Sequence, residues 1–268
     1  MTLAVCATPI GNLDDVTLRV LRELAEADLV LCEDTRHTQR LLERHDIRAR
    51  TLRSYHHHNE AARAHEVLER LVAGARVALV SDAGLPGIND PGMRLVAAAH
   101  DAGVEVTVLP GASAVTTALV ASGFSSERYQ FVGFLPRTQA AVAALWDELA
   151  KWPHVAVAFE SPRRLPRSLG ALAEAAPGRE VAVCRELTKR FEEVVRGRAT
   201  AVAAQFAEAP KGEIVVVVGP AAARRKPDAE AAAVVAELVG EGLPRRRAAE
   251  LVSRVTGASA RALYRRSL

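Results

Sequence analysis

The chain has 268 residues, room for one large or two modest domains, and 49% of them are hydrophobic, enough for substantial cores. Thirty-five basic residues against 32 acidic ones leave a net charge of +3, which by itself does not argue for a nucleic-acid partner. No apolar run approaches the ~18 residues of a membrane span, no signal-peptide pattern stands before Leu3, and Cys6, Cys32 and Cys184 form no CxxC pair, so a soluble, reduced, cytoplasmic protein is expected.

Strand and helix signals alternate through the first half. Strands are predicted at 3–7, 28–32, 51–53, 77–80 and 104–108, with helices at 16–26, 36–45, 59–73, 91–102 and 112–122. Strands separated by helices imply βαβ units and a parallel sheet, and the continuous apolar strands fit burial on both faces. The rhythm then changes, with strands at 129–134, 155–159, 181–185, 192–198 and 214–218 and helices at 138–151, 165–176 and 200–207. These strands need not all be parallel. Domains are expected at 1–118, 119–220 and 221–268, the last reading as three helices at 228–240, 244–255 and 258–266. In it Ala248, Leu251, Val252, Val255, Ala262 and Leu263 form an apolar face at helical spacing, the pattern of a helix-turn-helix unit. This tail holds ten Lys/Arg (Arg224, Arg225, Lys226, Arg245, Arg246, Arg247, Arg254, Arg261, Arg265, Arg266) against five acids, so it carries +5 and the remainder −2. Clustered positive charge suits a polyanion.

Three Gly/Pro-rich loops follow predicted strands: Thr-Pro-Ile-Gly-Asn at 8–12, Ser-Asp-Ala-Gly-Leu-Pro-Gly-Ile-Asn-Asp-Pro-Gly at 81–92, and Leu-Pro-Gly-Ala-Ser at 109–113. Loops at the carboxyl ends of parallel strands are where open α/β sheets bind ligands. The pattern is neither the G-x-G-x-x-G of a dinucleotide site nor a Walker loop, and no G-x-S-x-G elbow exists. Residues 56–58 are a run of three histidines, but consecutive side chains do not all face one metal in a regular element. Glycines in such loops let backbone N–H and C=O groups approach a ligand, which suits an adenine edge and the zwitterion of an amino acid. Asp82 is placed to bind a ribose hydroxyl or a ligand cation. Charged segments also follow strands: Cys-Glu-Asp-Thr-Arg at 32–36, His-Asn-Glu at 58–60, Phe-Leu-Pro-Arg at 134–137, Glu-Ser-Pro-Arg-Arg at 160–164 and Arg-Glu-Leu-Thr-Lys at 185–189. Together they would give one mouth both carboxylates and guanidinia that hold phosphates bidentately.

Eight motifs then occur in order: Ala-Thr-Pro-Ile-Gly-Asn-Leu-Asp-Asp at 7–15, the segments at 32–36, 58–60 and 81–92, Gly-Phe-Leu-Pro at 133–136, the segments at 160–164 and 185–189, and Gly-Glu at 212–213. The set resembles the ribosomal RNA small subunit methyltransferase I family of the tetrapyrrole methylase superfamily, across residues 3–219. Leu85 departs from it, standing where that family commonly has a small hydroxyl residue. The resemblance implies a two-domain tetrapyrrole-methylase-like α/β fold, a parallel-sheet domain followed by a mixed-sheet domain, with a helical tail. It further implies a homodimer, S-adenosylmethionine (SAM) in the cleft, and 2′-O-methylation of a decoding-centre cytidine in 16S rRNA of the small ribosomal subunit. SAM contacts carry over to Pro9, Asp82, Ala83, Gly84, Ser113, Ala114, Leu187, Thr188, Gly212 and Glu213.

A ribose hydroxyl is a poor nucleophile, so a base is expected to assist. Glu33 or Asp34 is the candidate to orient or deprotonate it, with Glu186 as an alternative. Arg36, Arg137, Arg164, Arg185 and Lys189 are the candidates to hold flanking phosphates. Two other readings stay open at this point. A small-molecule methylase acting on a macrocycle would share SAM and fold without needing the arginines or the tail. A non-catalytic RNA-binding assembly factor would need the tail but not the loops.

Overall fold

A computed structural model describes residues 2–125, 127–221 and 227–267; Arg224, Arg225 and Lys226 of the expected basic tail lie outside the described residues. Five strands, β1 (Thr2–Cys6), β2 (Leu29–Cys32), β3 (Leu52–Ser54), β4 (Arg76–Val80) and β5 (Glu105–Leu109), pair in the order β3-β2-β4-β1-β5, all parallel. Alternate side chains of the same strands serve two cores, as a pleat with period two requires. Ala4, Cys6, Val30, Cys32, Ala78 and Val80 pack under α1 (Leu18–Glu26) and α2 (Thr35–Arg44) through Val20, Leu24, Leu41 and Leu42. Leu3, Leu29, Leu31, Val77 and Leu79 pack under α3 (Glu60–Val72) and α4 (Met93–Asp101) through Val67, Leu71, Leu95 and Ala99. Burial on both faces explains the unbroken apolar strands. Thr17 sets the start of α1 by accepting the Val20 N–H at 3.2 Å, and Asp34 sets the start of α2 by accepting the Arg36 N–H at 2.8 Å.

The second sheet contains β6 (Tyr129–Phe134), β7 (Val155–Glu160), β8 (Glu180–Arg185), β9 (Glu193–Arg198) and β10 (Ile214–Val218) in the order β6-β7-β10-β8-β9. β6 runs parallel to β7 and the other pairs are antiparallel, the mixed sheet that the change in rhythm predicts. One face is covered by α6 (Gln139–Lys151), α7 (Leu165–Ala175) and α8 (Ala199–Gln205), with Trp146 at its centre. The other face packs on α5 (Ala114–Ala121) through Val115, Ala118 and Leu119, and on Ile10 and Phe124. The expected boundary at 118/119 therefore lies inside a helix that follows the first sheet and buries its side chains on the second. This shared core sets the two sheets against each other and places a cleft between them.

The tail contains α9 (Pro227–Gly240), α10 (Arg245–Thr256) and α11 (Ala260–Arg266). Its core of Ala231, Ala232, Val235, Ala248, Ala249, Val252 and Leu263 draws only on tail residues among those described. One expectation fails here. Val255, assigned to the apolar face, is exposed, because the buried stripe of α10 is 248, 249 and 252 and the helix ends at Thr256 before another turn meets its neighbours. Gly257 ends α10 at φ +72°, a left-handed cap that a side chain would strain. Among the described residues no helix is long and apolar enough to cross a membrane.

Candidate functional site

The three Gly/Pro loops come from three adjacent strands, β4, β1 and β5, and so lie side by side along the cleft. The loops after β1 and β4 are bonded to each other. Thr8 N–H donates to Gly84 O at 2.8 Å, Gly84 N–H returns the bond to Thr8 O at 3.0 Å, and the Thr8 hydroxyl donates to Ser81 O at 3.0 Å. Gly84 sits at φ +81°, where a side chain would be strained. At Gly111 an added Cβ would lie 2.9 Å from the Ala7 Cβ, so the β5 loop needs glycine to approach β1 this closely.

The second sheet closes the cleft with the turn after β8. Glu186 and Thr188 both hold positive φ, +52° and +66°, and left-handed backbone is uncommon for such residues, a β-branched threonine above all. Strain of this kind persists only where the surroundings over-determine it. They do so here. Glu186 N–H donates to Glu213 O at 3.0 Å, Glu213 N–H donates back to Glu186 Oε1 at 2.9 Å, and Lys189 Nζ donates to the same oxygen at 2.9 Å. The Glu192 carboxylate accepts the Thr188 N–H. Asn12 N–H, from the first loop, donates to the Thr188 hydroxyl at 3.1 Å, tying the two halves together.

Two contiguous cavities result, sharing Ile10, Ala83 and Glu213 as a common wall. The larger, about 380 Å³, is lined by Ala83, Gly84, Ser113, Ala114, Leu187, Gly212 and Glu213 of the expected cofactor residues. Its far wall is aromatic and polar, with Phe134, Phe159 and Ser161. The smaller, about 280 Å³, takes Pro9 and Asp82 together with His37, Arg40 and Lys189. Thr188 lines neither cavity, and its hydroxyl accepts the Asn12 N–H of the first loop. The residues fit SAM. Apolar Ile10, Ala114, Val115, Leu187 and Ile214 suit a flat purine, glycine backbone leaves room for close polar contacts, and Asp82 and Glu213 supply carboxylates for hydroxyl and ammonium groups.

The carboxylates divide by environment. Asp34 chelates the Arg36 guanidinium at 2.6 and 3.0 Å and accepts its N–H, which holds the carboxyl well below the usual range. Asp82 accepts the Asp34 N–H at 2.9 Å and has the His37 ring 3.5 Å away. The Glu213 N–H and Lys189 hold Glu186 low. Glu33 is pushed up, first by burial and then by Asp82. Asp90, which the sequence quoted only as part of a turn motif, is pushed up to about 6 by burial and by Glu33.

The basic residues divide as well. Arg164 binds Glu160 at 2.6 Å and donates to the carbonyls of Leu135 and Pro136, each at 3.1 Å. Arg185 donates to Glu193 at 2.9 Å and to Lys211 O at 3.3 Å, and Lys189 bridges Glu186 and Glu213. Arg137 is exposed, and Arg36 is 84% exposed beyond its contact with Asp34. His37, Arg40 and Asp90 escaped the sequence reading. His37 and Arg40 lie on α2 and Asp90 lies in the loop after β4, and the only sequence signal for them was a polar side chain, which is common at such places.

Residues 2–203 match the family of tetrapyrrole (corrin/porphyrin) methylases, and residues 225–268 match the RsmI C-terminal HTH domain. The chain is 47% identical to the ribosomal RNA small subunit methyltransferase I of Mesorhizobium japonicum, over 99% of this chain and 91% of that protein. Among solved structures, the methyltransferase CobJ is similar with a TM-score of 0.62 and 26% identity, over 84% of this chain and 95% of that one. Uroporphyrin-III C-methyl transferase from Thermus thermophilus, solved with S-adenyl homocysteine, shares the fold at a TM-score of 0.56 and 18% identity, over 82% of this chain and 97% of that one.

Proposed function

Because this chain belongs to the tetrapyrrole methylases, and within them to the ribosomal RNA small subunit methyltransferase I family, we propose that it transfers a methyl group from SAM to the ribose 2′-oxygen of a decoding-centre cytidine in 16S rRNA. The observation that carries the reading is the cleft itself. Three glycine loops on adjacent strands face a strained turn of the second sheet across a cavity of about 380 Å³.

Bound in the cleft, SAM supplies a methyl group already activated by its sulfonium charge, so the protein's task is alignment and exclusion of water. The Ala83–Gly84 and Ser113–Ala114 loops hold the nucleoside from one side, and Leu187, Gly212 and Glu213 hold it from the other. Phe134, 58% exposed at the rim, offers a face for the incoming base, and Arg36, Arg40 and Arg137 offer cations for its phosphates. Arg164, Arg185 and Lys189 act one step further back, holding the loops that carry the site. A carboxylate in the cleft takes the hydroxyl proton, while Asp34 and Glu186 are engaged with the backbone N–H groups of Arg36 and Glu213. The tail presents exposed Arg246, Arg247, Arg254, Arg261 and Arg265 to the rest of the ribosomal particle. The enzyme acts in the cytoplasm as a homodimer, consistent with exposed Val108 on the edge strand β5 and exposed Val120 on α5.

Transfer of labelled methyl from SAM to unmodified 30S subunits and to naked 16S rRNA, followed by nuclease mapping, tests this. Label on a single ribose is expected. No label on either substrate, with SAM binding intact, would move the activity to a small-molecule acceptor.

A further inference from the structure

Three carboxylates line the larger cavity: Asp90, Glu160 and Glu213. Two are already engaged. Glu160 has no exposed side-chain surface and accepts from Ser161 N–H at 2.6 Å, the Ser168 hydroxyl at 2.5 Å and Arg164 at 2.6 Å. Glu213 is paired with Lys189 at 2.9 Å. Asp90 has the Ser81 hydroxyl near it and, among the described residues, no ion pair. Of the carboxylates gathered where β2 and β4 end, Glu33, Asp34 and Asp82 do not line this cavity; Asp90 does.

The backbone around Asp90 is held firmly. Asn89 before it adopts φ +64°, and its amide stands 3.2 Å from where a Cβ on Gly133 of β6 would lie. Pro91 follows, and Gly92 at φ +141° packs so closely that an added Cβ would meet Leu79 at 2.9 Å and Pro86 at 3.5 Å. A loop fixed on both sides of a free carboxylate is a preorganised arrangement.

Resting on the ribose-methylation reading above, we propose that Asp90 is a further catalytic residue, the carboxylate that accepts the proton of the ribose 2′-hydroxyl. The hydroxyl proton passes to a carboxylate oxygen of Asp90. The O–H electron pair stays on the ribose oxygen, which forms the new O–CH3 bond. The S–CH3 pair returns to sulfur, leaving a neutral thioether, and Asp90 then releases its proton to water. The groups facing Asp90 are Glu33 after β2, Ser81 and Asp82 after β4, and His57 after β3. Burial, Glu33 and Asp82 raise its basicity, while Ser81 and His57 oppose them.

The test compares wild type, Asp90→Asn and Glu33→Gln on unmodified small subunits, with SAM affinity measured by calorimetry and the Asp90 carboxyl followed by carbon NMR. Asp90→Asn is expected to lower kcat by roughly 10²–10⁴-fold at unchanged SAM affinity and to abolish the acidic limb of the pH profile. Glu33→Gln is expected to lower kcat less and to move that limb to lower pH. The Asp90 carboxyl is expected to titrate near 6 in the wild type and lower in Glu33→Gln. Retention of kcat within about threefold by Asp90→Asn, or titration of Asp90 in the ordinary carboxylate range, overturns the assignment. A wild-type enzyme that labels no ribose overturns the RNA reading itself. One that labels ribose alongside an equally active Asp90→Asn overturns only the role of Asp90.

Discussion

Replacing Arg164 by alanine separates a structural role from an RNA-binding one. The Glu160 carboxylate has no exposed surface, and Arg164 is its only cationic partner among the described residues. Removing the guanidinium strands a buried charge and frees the carbonyls of Leu135 and Pro136, which it bonds at 3.1 Å. Breaking a buried pair in this way costs about 3–5 kcal/mol, several times the ~1 kcal/mol of an exposed pair. Both tryptophans of the chain, Trp146 and Trp152, lie in the same half of the molecule, and the Trp146 indole donates to Ser168 O, beside the Glu160 network. Tryptophan fluorescence in urea therefore reads this unit selectively. With a urea slope of about 2 kcal/mol per M, the midpoint should fall by roughly 2 M. The double variant Glu160→Gln with Arg164→Met should recover much of the loss, because no charge is left unpaired. A midpoint within about 0.3 M of wild type for Arg164→Ala would refute the reasoning and return Arg164 to the set of free phosphate ligands.

Other outcomes are expected from the same geometry. Gly212→Ala puts a methyl group at φ +97° and into the Glu186 side chain, so SAM affinity by calorimetry should fall by roughly 5- to 150-fold, as strain of ~1–3 kcal/mol implies. Deletion of 221–268 should raise the KM for RNA and flatten its salt dependence while leaving the tryptophan transition in place, because among the described residues the core of the tail draws only on the tail. An unchanged KM would make the tail a structural appendage. Asp90 titrates higher in the fold than its ordinary value of 3.8, so between 3.8 and about 6 the folded chain holds a proton that the unfolded chain has released. Stability should therefore decline as pH rises through that interval, and Asp90→Asn should remove this part of the slope in urea titrations followed by circular dichroism.

Local sequence determined much of this protein. Apolar runs such as the one at 77–80 placed the strands, and in the structure Thr17, Asp34 and Ser259 cap helices through their own next turn, a local interaction. The glycines at 84, 87 and 92 announced left-handed turns, since positive φ is a property of single residues. Ordered motifs carried the family. What required the tertiary structure was adjacency. Nothing in the spacing says that β4, β1 and β5 are neighbours, and only that order brings 8–12, 81–92 and 109–113 together. Side-chain partners were equally out of reach. Arg137 and Arg164 read alike as charges after strands, yet one is exposed and the other is locked to a buried glutamate. Glu33 and Asp34 are consecutive, yet Arg36 lowers one while burial raises the other. A residue's charge is written in its own chemistry, but its basicity and its freedom to meet a substrate depend on neighbours that arrive from distant parts of the chain.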